Sequence, residues 1–155
     1  MLNNDILRRL RYTFALSDDK MIAIFKLGGL EANRETISNW LRKEEDEGFL
    51  FIEDIETAKF LNGFIVEKRG NKDGETPEAE QVLTNNLVLR KLKIALNMKD
   101  SDILEMMEKE KFEVSKHELS ALFRKKGHKH YRECKDQFLR NFLTGLQIKL
   151  RPLEA

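Results

Sequence analysis

The chain has 155 residues, of which 41% are apolar and 35% charged, and a formal net charge of +1. No apolar run approaches the roughly 20 residues of a membrane span, and the N-terminus lacks the basic-then-apolar pattern of a signal peptide. The lone Cys134 rules out an internal disulfide, which suits a reducing cytoplasm.

In chain order, the first helix is expected from Asn3 or Asn4, either of which can act as N-cap, with Ile6, Leu7, Leu10 and Phe14 on one face. Ser17 caps a second helix whose first turn carries Asp18 and Asp19, placed to favour the helix dipole. It buries Met21, Ile22 and Phe25 and stops at Gly28-Gly29. Asn33 caps a third helix that buries Ile37, Trp40 and Leu41, and an acidic run Glu44-Glu45-Asp46-Glu47 follows. A fourth helix, about Glu53 to Lys68, turns Ile55, Phe60, Leu61 and Phe64 inward. Residues 69–84 read as a linker with a mobile tip, because Gly70, Asn71, Asp73, Gly74 and Pro77 are loop formers with little to bury.

The plan then repeats. Asn3-Asn4-Asp5-Ile6-Leu7-Arg8-Arg9-Leu10-Arg11 returns as Asn85-Asn86-Leu87-Val88-Leu89-Arg90-Lys91-Leu92-Lys93, and the offset of 82 residues holds without a gap to Val66 and Ile148. Ser115-Lys116-His117-Glu118 is a capping box for the third helix of the second copy. The fold expected is therefore all-α: two tandem four-helix repeats related by a pseudo-twofold and packed together. They occupy residues 1–68 and 85–152, joined by the 69–84 linker. Packing is expected because a unit of this size is marginal alone. Gly63 and Gly145 interrupt the two fourth helices, where glycine costs roughly 1 kcal/mol relative to alanine; a close helix crossing or a loosened helix end would account for both, and a close crossing is expected at each.

Comparing the copies sorts the polar residues. Arg8 matches Arg90, Asp18 matches Asp100, Ser38 matches Ser120, Arg42 matches Arg124, Lys43 matches Lys125 and Asp54 matches Asp136. Caps and salt bridges explain such matches most simply. A sharper reading makes Ser38, Arg42 and Ser120 part of a shared surface on the third helices. A helix-turn-helix reading of helices 2 and 3 is weaker, since Gly28 to Ala32 exceeds the usual 3–4-residue turn.

Charge separates the copies. Residues 1–68 carry 10 basic and 13 acidic side chains, about −3, whereas residues 85–155 carry 16 and 10, about +6. The sharpest difference lies after the third helix. Where the first copy is acidic, the second reads Arg124, Lys125, Lys126, His128, Lys129, His130, Tyr131 and Arg132. A merely solvated loop is the plainest reading of such a run, but cations beside an aromatic ring can neutralise phosphates and stack on a base, so nucleic acid is the first candidate partner. The second is an acidic protein surface, or another copy of the chain. His128, His130 and Cys134 lack a fourth ligand and sit among cations, so no metal is expected there. There is no Gly-rich phosphate loop and no nucleophile elbow, nor any carboxylate pair singled out by spacing. The reading is a non-enzymatic binding module with no cofactor and no small-molecule substrate.

The duplicated Asn-Asn-x-hydrophobic-Leu-Arg-x-Leu opening, the stretch from Glu118 to Cys134 and the tail from Phe138 to Gly145 resemble the YehS-like family of small bacterial proteins, built from two copies of a domain of unknown function. The resemblance covers nearly the whole chain. It implies a cytoplasmic bacterial protein and supplies no activity or site residues.

Overall fold

The computed structural model describes residues 1–71, 74 and 77–151; part of the linker expected to be mobile lies outside these residues. The described residues form eight helices and no strand. The helices are α1 (Asn3–Thr13), α2 (Asp18–Leu27), α3 (Arg34–Leu41), α4 (Asp54–Arg69), α5 (Asn85–Ala95), α6 (Asp100–Lys109), α7 (Lys116–Leu122) and α8 (Asp136–Leu150). They divide into two compact units, Met1–Leu83 and Thr84–Ala155, with four helices each. None of the helices is long and apolar enough to cross a membrane.

In the first unit the core is aromatic. Phe25 on α2 lies 4.9 Å from Phe60 on α4 and 5.3 Å from Trp40 on α3, and Phe64 lies 4.8 Å from Phe14 just past α1. Each such pair contributes about 0.5–1.5 kcal/mol beyond the area it buries. Ile24 takes an inner position on α2, whereas Ile22 and Leu41, expected inside, are half-buried. The described end of the linker lies against this unit, where the Leu83 amide donates to Asp54 Oδ2 at 2.9 Å. In the second unit the corresponding core is mostly aliphatic: Leu89, Leu92, Ile103, Met107, Leu119, Leu139 and Leu146 are buried around Phe142.

Three caps fall where the sequence placed them. Ser17 accepts from the Lys20 amide, Asn33 from Thr36 and Ser115 from Glu118. Each satisfies an amide that the first helical turn leaves free.

The two interior glycines have different surroundings. A Cβ on Gly63 would stand 1.9 Å from the Ile24 carbonyl oxygen, and one on Gly28 would stand 1.7 Å from the Lys59 carbonyl oxygen. The α2 and α4 backbones therefore touch, which only paired glycines permit. In the second unit Glu110 replaces Gly28, and a Cβ on Gly145 would meet only the Met106 side chain, at 3.2 Å and beyond. The close crossing expected at both glycines exists at Gly63 alone. Beside Gly145, α6 and α8 leave a groove of about 350 Å³ lined by Met106, Glu110 and Ile148 among others.

Candidate nucleic-acid interface

The basic loop is held at its ends by α5. Asn85 Nδ2 donates to the Cys134 carbonyl at 3.0 Å and to Asp136 Oδ1 at 2.7 Å. Asn86 Nδ2 donates to the carbonyls of Leu122 and Arg132 at 3.0 and 2.8 Å, and its Oδ1 accepts from the Cys134 amide at 2.9 Å. Arg90 donates to the Phe123 carbonyl at 2.6 Å. The end of α7 and the start of α8 are thus tied to one helix. The intervening residues close through two turns, His128 N–H to Lys125 O and Tyr131 N–H to His128 O, with Gly127 at φ +97°.

The first unit is wired in the same way. Asn3 donates to the Ile52 carbonyl and to Asp54. Asn4 donates to the carbonyls of Trp40 and Leu50 and accepts from the Ile52 amide, while Arg8 donates to the Arg42 carbonyl. This corrects the expected role of Asn3 and Asn4 as N-caps: the N-cap of α1 is Leu2, without a side-chain bond. Both amides are spent on the α3–α4 connection, whose buried main-chain groups would otherwise be unpaired. The polar matches Arg8/Arg90 and Asp54/Asp136 follow from this wiring. Asp18 and Asp100 match because each pairs with the preceding helix, through Arg11 at 3.2 Å and Lys93 at 2.5 Å.

Arg124, Lys125, Lys126, Lys129 and Arg132 are all exposed, and none forms an ion pair among the described residues; Tyr131 is half-buried. His128 and His130 lie 5.5 Å apart and His117 stands 6.4 Å from His130, so the chain's three histidines share this end of the unit. The His130 amide donates to His128 Nδ1 at 3.0 Å, which places the neutral ring's proton on Nε2. Ser120 is half-buried on α7, beside the loop. Ser38 and Arg42 belong to the other unit, where Ser38 is exposed and Arg42 Nε donates to Asn39 Oδ1 at 3.1 Å. Arg34 is bound to Asp18 and Asp19 and is not free to read bases.

Cys134 is buried, and burial, followed by the charges of Asp136 and Glu133, pushes its thiol up to about 12. A thiol held protonated is a poor nucleophile. Among the described residues, no three of His, Cys, Asp and Glu are placed to hold a metal ion.

Asn85, Asn86 and Arg90, which present the loop, were not among the residues expected at the site. Their signal was available in the match of Asn3, Asn4 and Arg8 across the repeat.

A family described as a protein of unknown function, DUF1456, matches residues 3–70 and 85–151. The chain is also similar to the uncharacterized protein YehS of Escherichia coli (strain K12), 49% identical over 151 residues that cover 96% of each chain. No solved structure matches. The chain belongs to the DUF1456 family, and each of its two units is one copy of that family's domain.

Proposed function

We propose that this protein is a non-enzymatic module of the bacterial cytoplasm that binds nucleic acid through the α7–α8 loop. The observation that carries the reading is the set of five exposed, unpaired cations, Arg124, Lys125, Lys126, Lys129 and Arg132, on a loop anchored at both ends. Each cation that meets a phosphate releases a condensed counterion. A loop already fixed by Asn86 loses little conformational freedom on binding. The exposed part of Tyr131 offers a face for stacking on an unpaired base. Ser120 and the His117, His128 and His130 rings add hydrogen-bonding groups at the same end of the unit. Arg124 and Arg132 carry planar guanidinium forks, but no side-chain hydrogen bond among the described residues holds either in one orientation, so the binding proposed is tolerant of sequence.

Fluorescence anisotropy with labelled single- and double-stranded DNA and RNA at low and moderate salt tests the reading. Replacing Lys125, Lys126 and Lys129 by alanine should weaken binding across all sequences and flatten the salt slope by up to about 3. Absence of binding at micromolar protein in low salt, or equal binding by the triple variant, would remove the proposal.

A further inference from the structure

The loop of the first unit that corresponds to the basic one has its own unusual surface. Glu44, Glu45 and Glu47 are exposed and form no ion pair among the described residues. Beside them Leu50 and Phe51 are 46% and 61% exposed, and the Phe49 and Phe51 rings meet edge to face at 4.8 Å. The fold does not require this chemistry. At the matching positions of the second unit stand Lys126, Gly127, Lys129, Tyr131, Arg132 and Glu133, on a loop held by the same asparagine bonds. Scattered apolar residues on a surface need no explanation. Here, however, an aromatic pair adjoins a run of unpaired carboxylates, and the sister repeat shows that polar residues serve the fold equally well.

The occupant that fits is the loop of opposite charge. We propose that a second copy of this chain docks here, with its 124–132 loop seated against Glu44, Glu45, Glu47 and the Phe49–Phe51 pair. Lysine and arginine side chains meet carboxylates at one end of the surface and aromatic faces at the other, where cation–π attraction adds to charge pairing. The arrangement joins different surfaces on the two copies. It therefore closes as a reciprocal dimer, when both loop pairs form about a twofold, or extends head to tail. Nucleic acid and the acidic loop compete for the same cations, so self-association and the binding proposed above exclude each other at any one basic loop.

Sedimentation velocity on nuclease-treated protein over a range of concentrations tests the inference. At low salt the wild type should form dimers or longer chains, which dissociate as salt screens the contact. Two charge-reversed variants sharpen the result. Glu44→Lys with Glu45→Lys and Glu47→Lys leaves a chain with two basic loops. Lys125→Glu with Lys126→Glu and Lys129→Glu leaves one with two acidic loops. Each should be monomeric alone, and their equimolar mixture should associate again. Phe51→Ser should reduce association without any change of charge. The two-basic-loop variant should keep its nucleic-acid binding, so loss of association with retained binding separates this inference from the proposed function. A wild type that is monomeric throughout, or a mixture that fails to associate while both variants retain native helicity, overturns it.

Discussion

Alanine at Gly63 should weaken the first unit, although helix propensity alone favours the change by about 1 kcal/mol. The added Cβ would lie 1.9 Å from the Ile24 carbonyl oxygen and 2.8 Å from the Gly28 amide nitrogen. Both are main-chain atoms of the helix end that α4 crosses, and neither can rotate away. The two helices must separate, and separation also loosens the Phe25–Phe60 contact. Overpacking of this kind costs about 1–3 kcal/mol and more where backbone must move, so a net loss of about 2 kcal/mol is expected after the propensity gain is offset. At Gly145 the neighbours are Met106 Cε, Cγ and Sδ at 3.2–3.5 Å. An unbranched methionine can repack, so Gly145→Ala should be neutral or stabilising by up to about 1 kcal/mol. Urea denaturation separates the two. Trp40 is the chain's single tryptophan and is buried against Phe25, so its fluorescence reports the first unit. With a denaturant slope of about 1–2 kcal/mol/M for so small a unit, Gly63→Ala should lower that midpoint by about 1–2 M. A midpoint that stays put or rises would refute the backbone-contact argument.

Asn86→Asp keeps the side chain's shape but turns the donor to the Leu122 and Arg132 carbonyls into a carboxylate oxygen. Leaving buried groups unpaired beside a charge should cost about 3 kcal/mol or more at neutral pH. The new carboxyl should have a raised pKa in the native state, so thermal melts of the variant and the wild type should converge as pH falls below about 4; a variant that matches the wild type at pH 7 would contradict the clamp. Cys134 should resist a thiol reagent in native protein at pH 8 and react fully once unfolded. The native thiol's raised pKa also sets a sign for stability. Its contribution is fully present below the ordinary value of 9.0 and is lost as pH rises toward about 12. Rapid labelling of the native protein would show that the site opens.

The helices and their duplication were legible because apolar spacing and caps are local signals: Ser17, Asn33 and Ser115 act where their positions in sequence put them. The roles of Asn3 and Asn4 were not legible from their own neighbourhood. An asparagine at a helix start looks the same whether its amide caps that helix or crosses to a segment 46 residues away. The contrast between Gly63 and Gly145 likewise depends on the facing helix, where Gly28 in one copy is Glu110 in the other. The charge of the two loops was plain from sequence, since exposed side chains carry their own chemistry. That the loops hang from equivalent bonds to a buried asparagine required the structure.

Asn4 and Asn86 hold their loops entirely by main-chain atoms. Asn4 contacts the carbonyls of residues 40 and 50 and the amide of residue 52, and Asn86 contacts the equivalent atoms of residues 122, 132 and 134. Between those anchor points the backbone asks for glycine at Gly48 in one loop and at Gly127 in the other, both at positive φ, and leaves the exposed side chains around them free to vary, which makes each loop a replaceable surface on a fixed frame. A single gene duplication followed by drift inside the loop could reverse a surface from anionic to cationic while every helix stayed in place. The same property makes the exposed positions 44, 45 and 47 of one loop and 125, 126 and 129 of the other natural places for displaying foreign side chains, two loops per chain and independently variable.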